Sequence, residues 1–410
     1  MDGNAVFLTL KKSFQKNIHE LLALINGNVP DFVLREDCGL LQGEIPVFTI
    51  HSVRAEVFEH QLRFLAENGY RTLSADRLVA CLEGRETIPR RAVVLTFDDG
   101  WRSLFTVAYP LLQRYGMRAE CFIVPGLIDA LEGSRSGDEY VRRSGRPAPW
   151  AVHEPLCTWE EIRAMHASGV IGFESHSLYH HRVAVSPKVE DFWNPFFDPG
   201  PWNFNTPMYR DGSGGECVLR QLPLGTPIYE NAPRMSARRR YLDDLGLREA
   251  CVELVDRCGG VDFFREGNWR SRLRRCVRDF RARYGDGGRF ETVRELRKGL
   301  LEDLAESRAL IERNLPGKTV NHFCFPWWVG SDLAVSLSRE AGYRADFWGV
   351  LPGRRTNRRG DDPYRVVRLL SEDYLYRLPG RDRRPLRSIL RRRILDNYGR
   401  LFGRLRTAGC

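Results

Sequence analysis

The sequence predicts an α/β fold of parallel strands joined by crossover helices, either a barrel or an open sheet. Three observations lead there. Short apolar runs alternate with amphipathic stretches over most of the chain, the pattern of repeated βα units. The residues best suited to chemistry, His51, Asp98, Asp99, His176 and His180, each follow an apolar run, and folds of this class keep their sites at the C-terminal ends of strands. Finally, 410 residues with 42% hydrophobic content suffice for a large core and about two domains' worth of chain.

Taken in order, Leu8 to Leu24 reads as an N-terminal helical segment. Pro46 to Ile50 reads as a strand. Ala55 to Asn68 reads as a helix with Val57, Leu62 and Leu65 on one side and Gly69 as its stop. Ala92 to Phe97 is a second strand, followed by Asp98, Asp99, Gly100 and a helix running to Gly116. Arg118 to Val124 is a strand, Trp159 to Ser168 a helix closed by Gly169, and Val170 to Phe173 a strand leading into a histidine cluster. The regularity breaks between Ala184 and Phe290, where an aromatic, Pro-, Gly- and Asn-rich stretch precedes a charged helical one. Glu291 to Asn314 resumes as a helix. Val320 to Phe325 and Arg344 to Trp348 are later strands, separated by the helix Leu333 to Glu340.

Composition excludes wholesale disorder, since Pro and Gly are not in excess and no low-complexity block dominates. No apolar run approaches the ~18 residues of a membrane span, and the N-terminus lacks the pattern of a secretory signal. The expected location is therefore the cytoplasm, where scattered cysteines without Cys-x-x-Cys spacing stay reduced. The net charge is +10, but residues 377–410 hold eleven arginines against Asp382 and Asp396, so nine of those charges sit in the tail. A nucleic-acid enzyme spreads basic charge around its site; no nucleic-acid partner is expected.

Three constellations carry chemistry. In LTFDDGW, Leu95 to Trp101, adjacent carboxylates after a strand point in different directions. One can bind a metal while the other accepts a proton; Asp-Gly is equally a turn signal. In ESHSLYHHRV, Glu174 to Val183, His176 and His180 can supply two imidazole ligands, with Asp99 as a third. They also read as surface histidines, and His181 as a bystander. In HFCFPWWVGS, His322 to Ser331, a strand ending in Pro326, Trp327 and Trp328 gives an aromatic wall able to stack on a sugar, or packs as a barrel rim.

Together these motifs resemble, in order, the polysaccharide deacetylase family, also called the NodB-homology domain or carbohydrate esterase family 4. The resemblance covers most of residues 44–184 and 291–370. It implies a distorted (β/α)7-type barrel with a large insertion and a basic C-terminal helical tail. It implies a divalent metal, zinc being the expected ion, on Asp99, His176 and His180, with Asp98 as general base. Two departures stand out. No histidine follows His322, whereas the family normally has a late one as general acid. GEIPVFTIHSV, Gly43 to Val53, resembles the first strand of a circularly permuted subgroup that includes poly-N-acetylglucosamine deacetylases, which moves that role to His51. Trp327 and Trp328 also stand where the family usually has Tyr and Gly, as a substrate wall with Pro326.

The expected organisation is an N-terminal extension (1–43), the barrel's first part (44–183), an insertion (184–290), its second part (291–376) and a basic amphipathic tail (377–410). The insertion aromatics Trp193, Phe196, Phe197, Trp202 and Phe204 form either a lid or a separate subdomain. The tail either docks on the barrel or meets an anionic membrane surface through residues 381–410, which would put the protein at the membrane's inner face; nucleic acid or another acidic partner is the third reading. The expected activity is metal-dependent removal of an N-acyl group, acetyl first, from an amino sugar of a polysaccharide or of a lipid- or nucleotide-linked glycan precursor. The alternatives are a deformylase or other amide or ester hydrolase, and a non-catalytic glycan-binding barrel.

Overall fold

The computed structural model describes residues 22–41, 43–128, 154–211, 213, 215–369 and 371–392. Most of the expected N-terminal helix, and the tail beyond residue 392, lie outside them. The centre is a curled parallel sheet in the spatial order Val47–Ile50, Ala92–Asp99, Ala119–Ile123, Ile171–Ser175, His322–Cys324 and Ala345–Phe347. A seventh short strand, Arg71–Thr72, pairs with the start of Ala92–Asp99. Residues 366–369 span the gap between the two edge strands, bridging Phe347 through Val366 and Phe48 through Leu369. The result is a distorted (β/α) barrel.

Strand periodicity sorts the side chains. Val93, Leu95 and Phe97 join Phe48, Ile123 and Phe173 in a large apolar cluster with the helices. Val94, Phe122, Cys324, Phe347 and Val366 share a second buried cluster. Thr96 and Asp98 continue the face of Val94, which is how a carboxylate reaches the barrel interior. Ala92–Asp99 is longer than its apolar pattern predicts: Asp98 and Asp99 are its last two residues, in register with Phe122 and Ile123. Ile171–Ser175 likewise outlasts its expected end at Phe173. Backbone pairing with Ala119–Ile123 carries these polar ends, a contribution that apolar periodicity does not report.

The helices form where caps and amphipathic spacing place them. Trp159–Ala167 opens on a capping box between Thr158 and Glu161, and Val293–Asn314 on another between Thr292 and Glu295. The segment after Gly100 differs from a plain helix, entering through a π-helical turn, Leu104–Ala108, before the α-helix Tyr109–Arg114.

Arg182–Phe192 pairs antiparallel with Pro227–Pro233. The helices Leu245–Arg257 and Trp269–Tyr284 then enclose an apolar cluster around Leu247, Cys251, Phe263 and Leu273. In the tail, Arg377 donates to the carbonyls of Val33 and Arg35 and pairs with Glu36, Arg383 donates to the carbonyls of Phe32 and Arg35, and Arg384 lies over Tyr376. Residues 386–392 are helical, with Ile389 buried against the barrel. The nine cysteines among the described residues are free thiols, and no helix there is long and apolar enough to cross a membrane.

Candidate active site

Asp98 and Asp99 diverge because the chain leaves the extended region between them. Asp99 has φ 73° and Gly100 φ 88°, a left-handed turn that Asp tolerates and Gly favours. A Cβ at Gly100 would also press to 3.1 Å from Ile123 Cγ2. Asp98 thus stays inside the barrel while Asp99 turns toward the loop after Ile171–Ser175.

That loop carries the histidines. Ser177 and His180 both have positive φ, a tight excursion tied by the Ser177 hydroxyl accepting from His180 N at 2.9 Å. Leu178 N donates to Asp303 Oδ1 on the long helix at 3.1 Å. Gly126 lies so close beneath that a Cβ there would sit 2.5 Å from the Leu178 carbonyl oxygen. Held this way, His176 Nε2 and His180 Nε2 each lie 3.7 Å from Asp99 Oδ1. All three residues are buried.

The cluster could hold a metal ion. Tetrahedral ligands at ~2.0–2.1 Å from zinc are about 3.4 Å apart, close to the spacing found before any ion is placed. His176 Nδ1 bonds the Cys324 carbonyl at 2.9 Å, which leaves Nε2 as the electron-pair donor toward Asp99. Burial lowers the pKa of both imidazoles, with Asp98 opposing this at His176 and His176 adding to it at His180; both are therefore in the neutral, ligating form. Asp99 Oδ2 accepts from Trp101 Nε1 at 3.0 Å, so the tryptophan that closes LTFDDGW orients the carboxylate. His181 joins none of this and lies 3.5 Å from Asp303 Oδ2; burial, then Arg234 and Arg240, push its pKa down to about 3.

Asp98 sits beside the cluster with a different partner, Arg368, which donates from Nη1 to Oδ1 at 2.7 Å and from Nη2 to Oδ2 at 2.9 Å. Both side chains are about 2% exposed or less. Burial alone would raise the carboxyl's pKa. Arg368 above all, then His176 and His51, hold it well below the usual carboxylate range, so Asp98 is ionised. Arg368 is itself fixed by the Trp348 carbonyl and Thr96 Oγ1. Cys324 Sγ lies 4.0 Å from both Asp98 oxygens. Sequence reading missed Arg368. The one available signal is a cation inside the apolar run RVVRLL, 365–370, where a buried strand would otherwise have none.

His51 follows directly on Val47–Ile50 at the same end of the barrel. It is exposed, and near enough to act electrostatically on both Asp98 and His180. Pro326 is buried, and Trp327 and Trp328 follow with φ of 60° and 58°, which turns both rings out of the strand direction. Trp327 lies 5.0 Å from the His180 ring. The insertion also reaches the site: Phe204 packs 4.2 Å from His180, and Trp202 lies 6.4 Å from Trp101. Trp193 and Phe197 instead pack together in the insertion, and Phe196 is exposed. Two of the five expected lid aromatics therefore cover the site.

Comparison with known proteins bears on the same residues. Residues 85–193 match the family model described as polysaccharide deacetylase. A poly-beta-1,6-N-acetyl-D-glucosamine N-deacetylase of Escherichia coli (strain K12) is 33% identical over 132 residues, 32% of this chain and 18% of that protein. The enzyme of the same name from Staphylococcus aureus (strain MRSA252) is 23% identical over 138 residues, 34% of this chain and 41% of its own length. The chain thus spans less than half the length of either relative. Among solved structures, a deacetylase domain from Bordetella bronchiseptica aligns with a TM-score of 0.49 at 19% identity, covering 82% of this chain and 98% of that one. Asp98, Asp99, His176 and His180 fall within the family match, whereas His51, Trp327, Trp328 and Arg368 fall outside it. Through residues 85–193 the chain is similar to the polysaccharide deacetylase family.

Proposed function

We propose that this protein is a metal-dependent N-deacetylase acting on an N-acetylated amino sugar of a glycan or glycan precursor. One observation carries the reading. An ionised carboxylate, Asp98, adjoins a buried cluster of one carboxylate and two neutral imidazoles at the mouth of the barrel. Asp99, His176 and His180 would hold a divalent ion, with zinc favoured by the nitrogen-rich donor set. When bound, such an ion supplies Lewis-acid polarisation of the acyl carbonyl and a more acidic water.

The chain's own residues do the rest. Asp98, kept ionised by Arg368, accepts the proton from the attacking water. His51, after the strand that neighbours Ala92–Asp99, donates a proton to the departing amine. Trp327 and Trp328 offer faces on which a pyranose ring stacks. Phe204 and Trp202 keep bulk water from the His180 side. The test is acetate release from N-acetylated oligosaccharides by the zinc-loaded protein, with no release expected from Asp98→Asn. Formate release from an N-formyl sugar with no acetate release would move the activity to a deformylase.

The role assigned to His51 predicts its own result. His51→Ala should retain full metal content and lose roughly 10²–10⁴-fold in kcat, the usual value of a positioned general acid. Undiminished turnover would remove the assignment.

We also propose that the tail rests on an anionic membrane surface, a peripheral cytoplasmic location. Arg381, Arg387, Arg391 and Arg392 are exposed, and each contributes about 1 kcal/mol near such a surface at low salt. The wild type should sediment with phosphatidylserine vesicles and a variant lacking residues 386–410 should not; equal sedimentation would refute this.

A further inference from the structure

Several sheltered arginines among the described residues are matched with carboxylates. Arg234 pairs with Glu291, Arg240 with Glu216, Arg248 with Asp243 and Arg368 with Asp98. Arg182, two residues beyond His180, is half-buried and forms no ion pair among the described residues. A cation withdrawn from water without a counter-charge is costly, and nothing in the packing of the insertion requires a charge there.

The guanidinium is nonetheless firmly placed. Nε donates to Asn231 Oδ1 at 2.5 Å and Nη2 to the Asn231 carbonyl at 3.1 Å. The group lies 5.3 Å from the centre of the Trp327 ring, and that ring is 5.0 Å from His180. Nη1 makes no hydrogen bond among the described residues. The indole N–H of Trp327 is buried without an acceptor there, as is that of Trp202 on the insertion segment facing Trp101. The wall next to His180 thus offers surplus donors and a positive charge.

We propose that Arg182 and Trp327 form an oxyanion subsite one sugar's width from the metal cluster, so that the amino sugar taken by this protein carries a negatively charged group, a phosphate ester or a carboxylate. The proposal rests on the deacetylase reading for what happens to the sugar, but not for what the subsite binds. The fixed guanidinium offers Nη1 to one oxygen of the anion, and Trp327 its N–H to another; a neutral sugar leaves the guanidinium without a counter-charge and the buried indole N–H unmet, which is where discrimination arises.

The test is calorimetric binding of N-acetylglucosamine 1-phosphate, an N-acetylglucosaminyl-glucuronate disaccharide and neutral N-acetylglucosamine to the full zinc-supplied chain and to Arg182→Gln and Arg182→Lys. At least one charged sugar should bind the wild type roughly tenfold or more tightly than the neutral one. Whichever charged sugar gains more identifies the anion. That preference should vanish in Arg182→Gln, survive in part in Arg182→Lys, and shrink as salt is raised on the wild type. The salt series stands even if Arg182→Gln fails to fold. No charge preference in the wild type, or one that persists in Arg182→Gln, overturns the proposal. Acetate release is followed in parallel: charge-dependent binding without release refutes the deacetylase reading alone, and release without charge preference refutes the subsite alone.

Discussion

Asp99→Ala should purify without its divalent ion and should lose more than roughly 10³-fold in kcat/KM, equivalent to ~4 kcal/mol of transition-state stabilisation. Asp99 Oδ1 is the atom equidistant from the two imidazoles, so its loss leaves a pair of neutral nitrogens that no longer closes a three-ligand cluster. The check is metal analysis of wild type, Asp99→Ala and His176→Ala, together with thermal unfolding with and without added zinc. An ion at a hundred times its dissociation constant stabilises the native state by about 2.7 kcal/mol, so the wild type should melt several degrees higher with zinc and the variants should not respond. A zinc response retained in Asp99→Ala would place the ion elsewhere, and the second acid–histidine–thiol grouping, Asp98, His176 and Cys324, would be the next set to vary.

Outside the metal cluster, Arg368→Met should be the change most damaging to stability. It strands Asp98, a fully buried carboxylate, without its two charge-assisted hydrogen bonds. Breaking one side of a buried pair typically costs about 3–5 kcal/mol. The pH dependence has a definite sign. In the wild type the folded-state pKa of Asp98 is depressed, so the pair's stabilisation is present above the ordinary carboxylate range and is lost only as pH falls through the lower folded value. Without Arg368, burial of the carboxyl dominates and its folded pKa rises. The acidic limb of both stability and kcat/KM should then move to higher pH, and Arg368→Lys should fall between, because an ammonium restores charge but not the bidentate fork. Urea titrations and rate profiles from pH 4 to pH 8 would show it; superimposable acidic limbs would mean that Arg368 does not tune the base.

The parts of the site legible in the sequence are those with local spacing. Asp98 and Asp99 are adjacent, His176 and His180 share one loop, and Trp327 and Trp328 end one strand. Each announces itself within a few residues, and the strands that lead to them are legible as apolar runs, though not their polar last residues. Arg368 has no such signature. It is one arginine in an arginine-rich chain, and only barrel closure brings it to Asp98, 270 residues away. Phe204 and Trp202 were visible as aromatics, but their place over His180 and Trp101 depends on where Arg182–Phe192 leads the insertion back. Arg182 falls between the two cases: next to the histidine motif in sequence, it shows its lack of a carboxylate only once the fold is known.

The closure by residues 366–369 also bears on how the molecule assembles. Those residues contact Phe48, more than three hundred positions earlier, and Arg377 and Arg383 anchor the same end of the chain to residues 32–36. Contacts of such sequence separation carry a large loop-closure cost and form late in folding. The metal-binding residues Asp99, His176 and His180, by contrast, all lie in one continuous stretch of chain, on strands paired through Ala119–Ile123. During refolding, ion binding should therefore return before the counter-ion of the general base is in place, and catalytic competence becomes a property of the last contacts made.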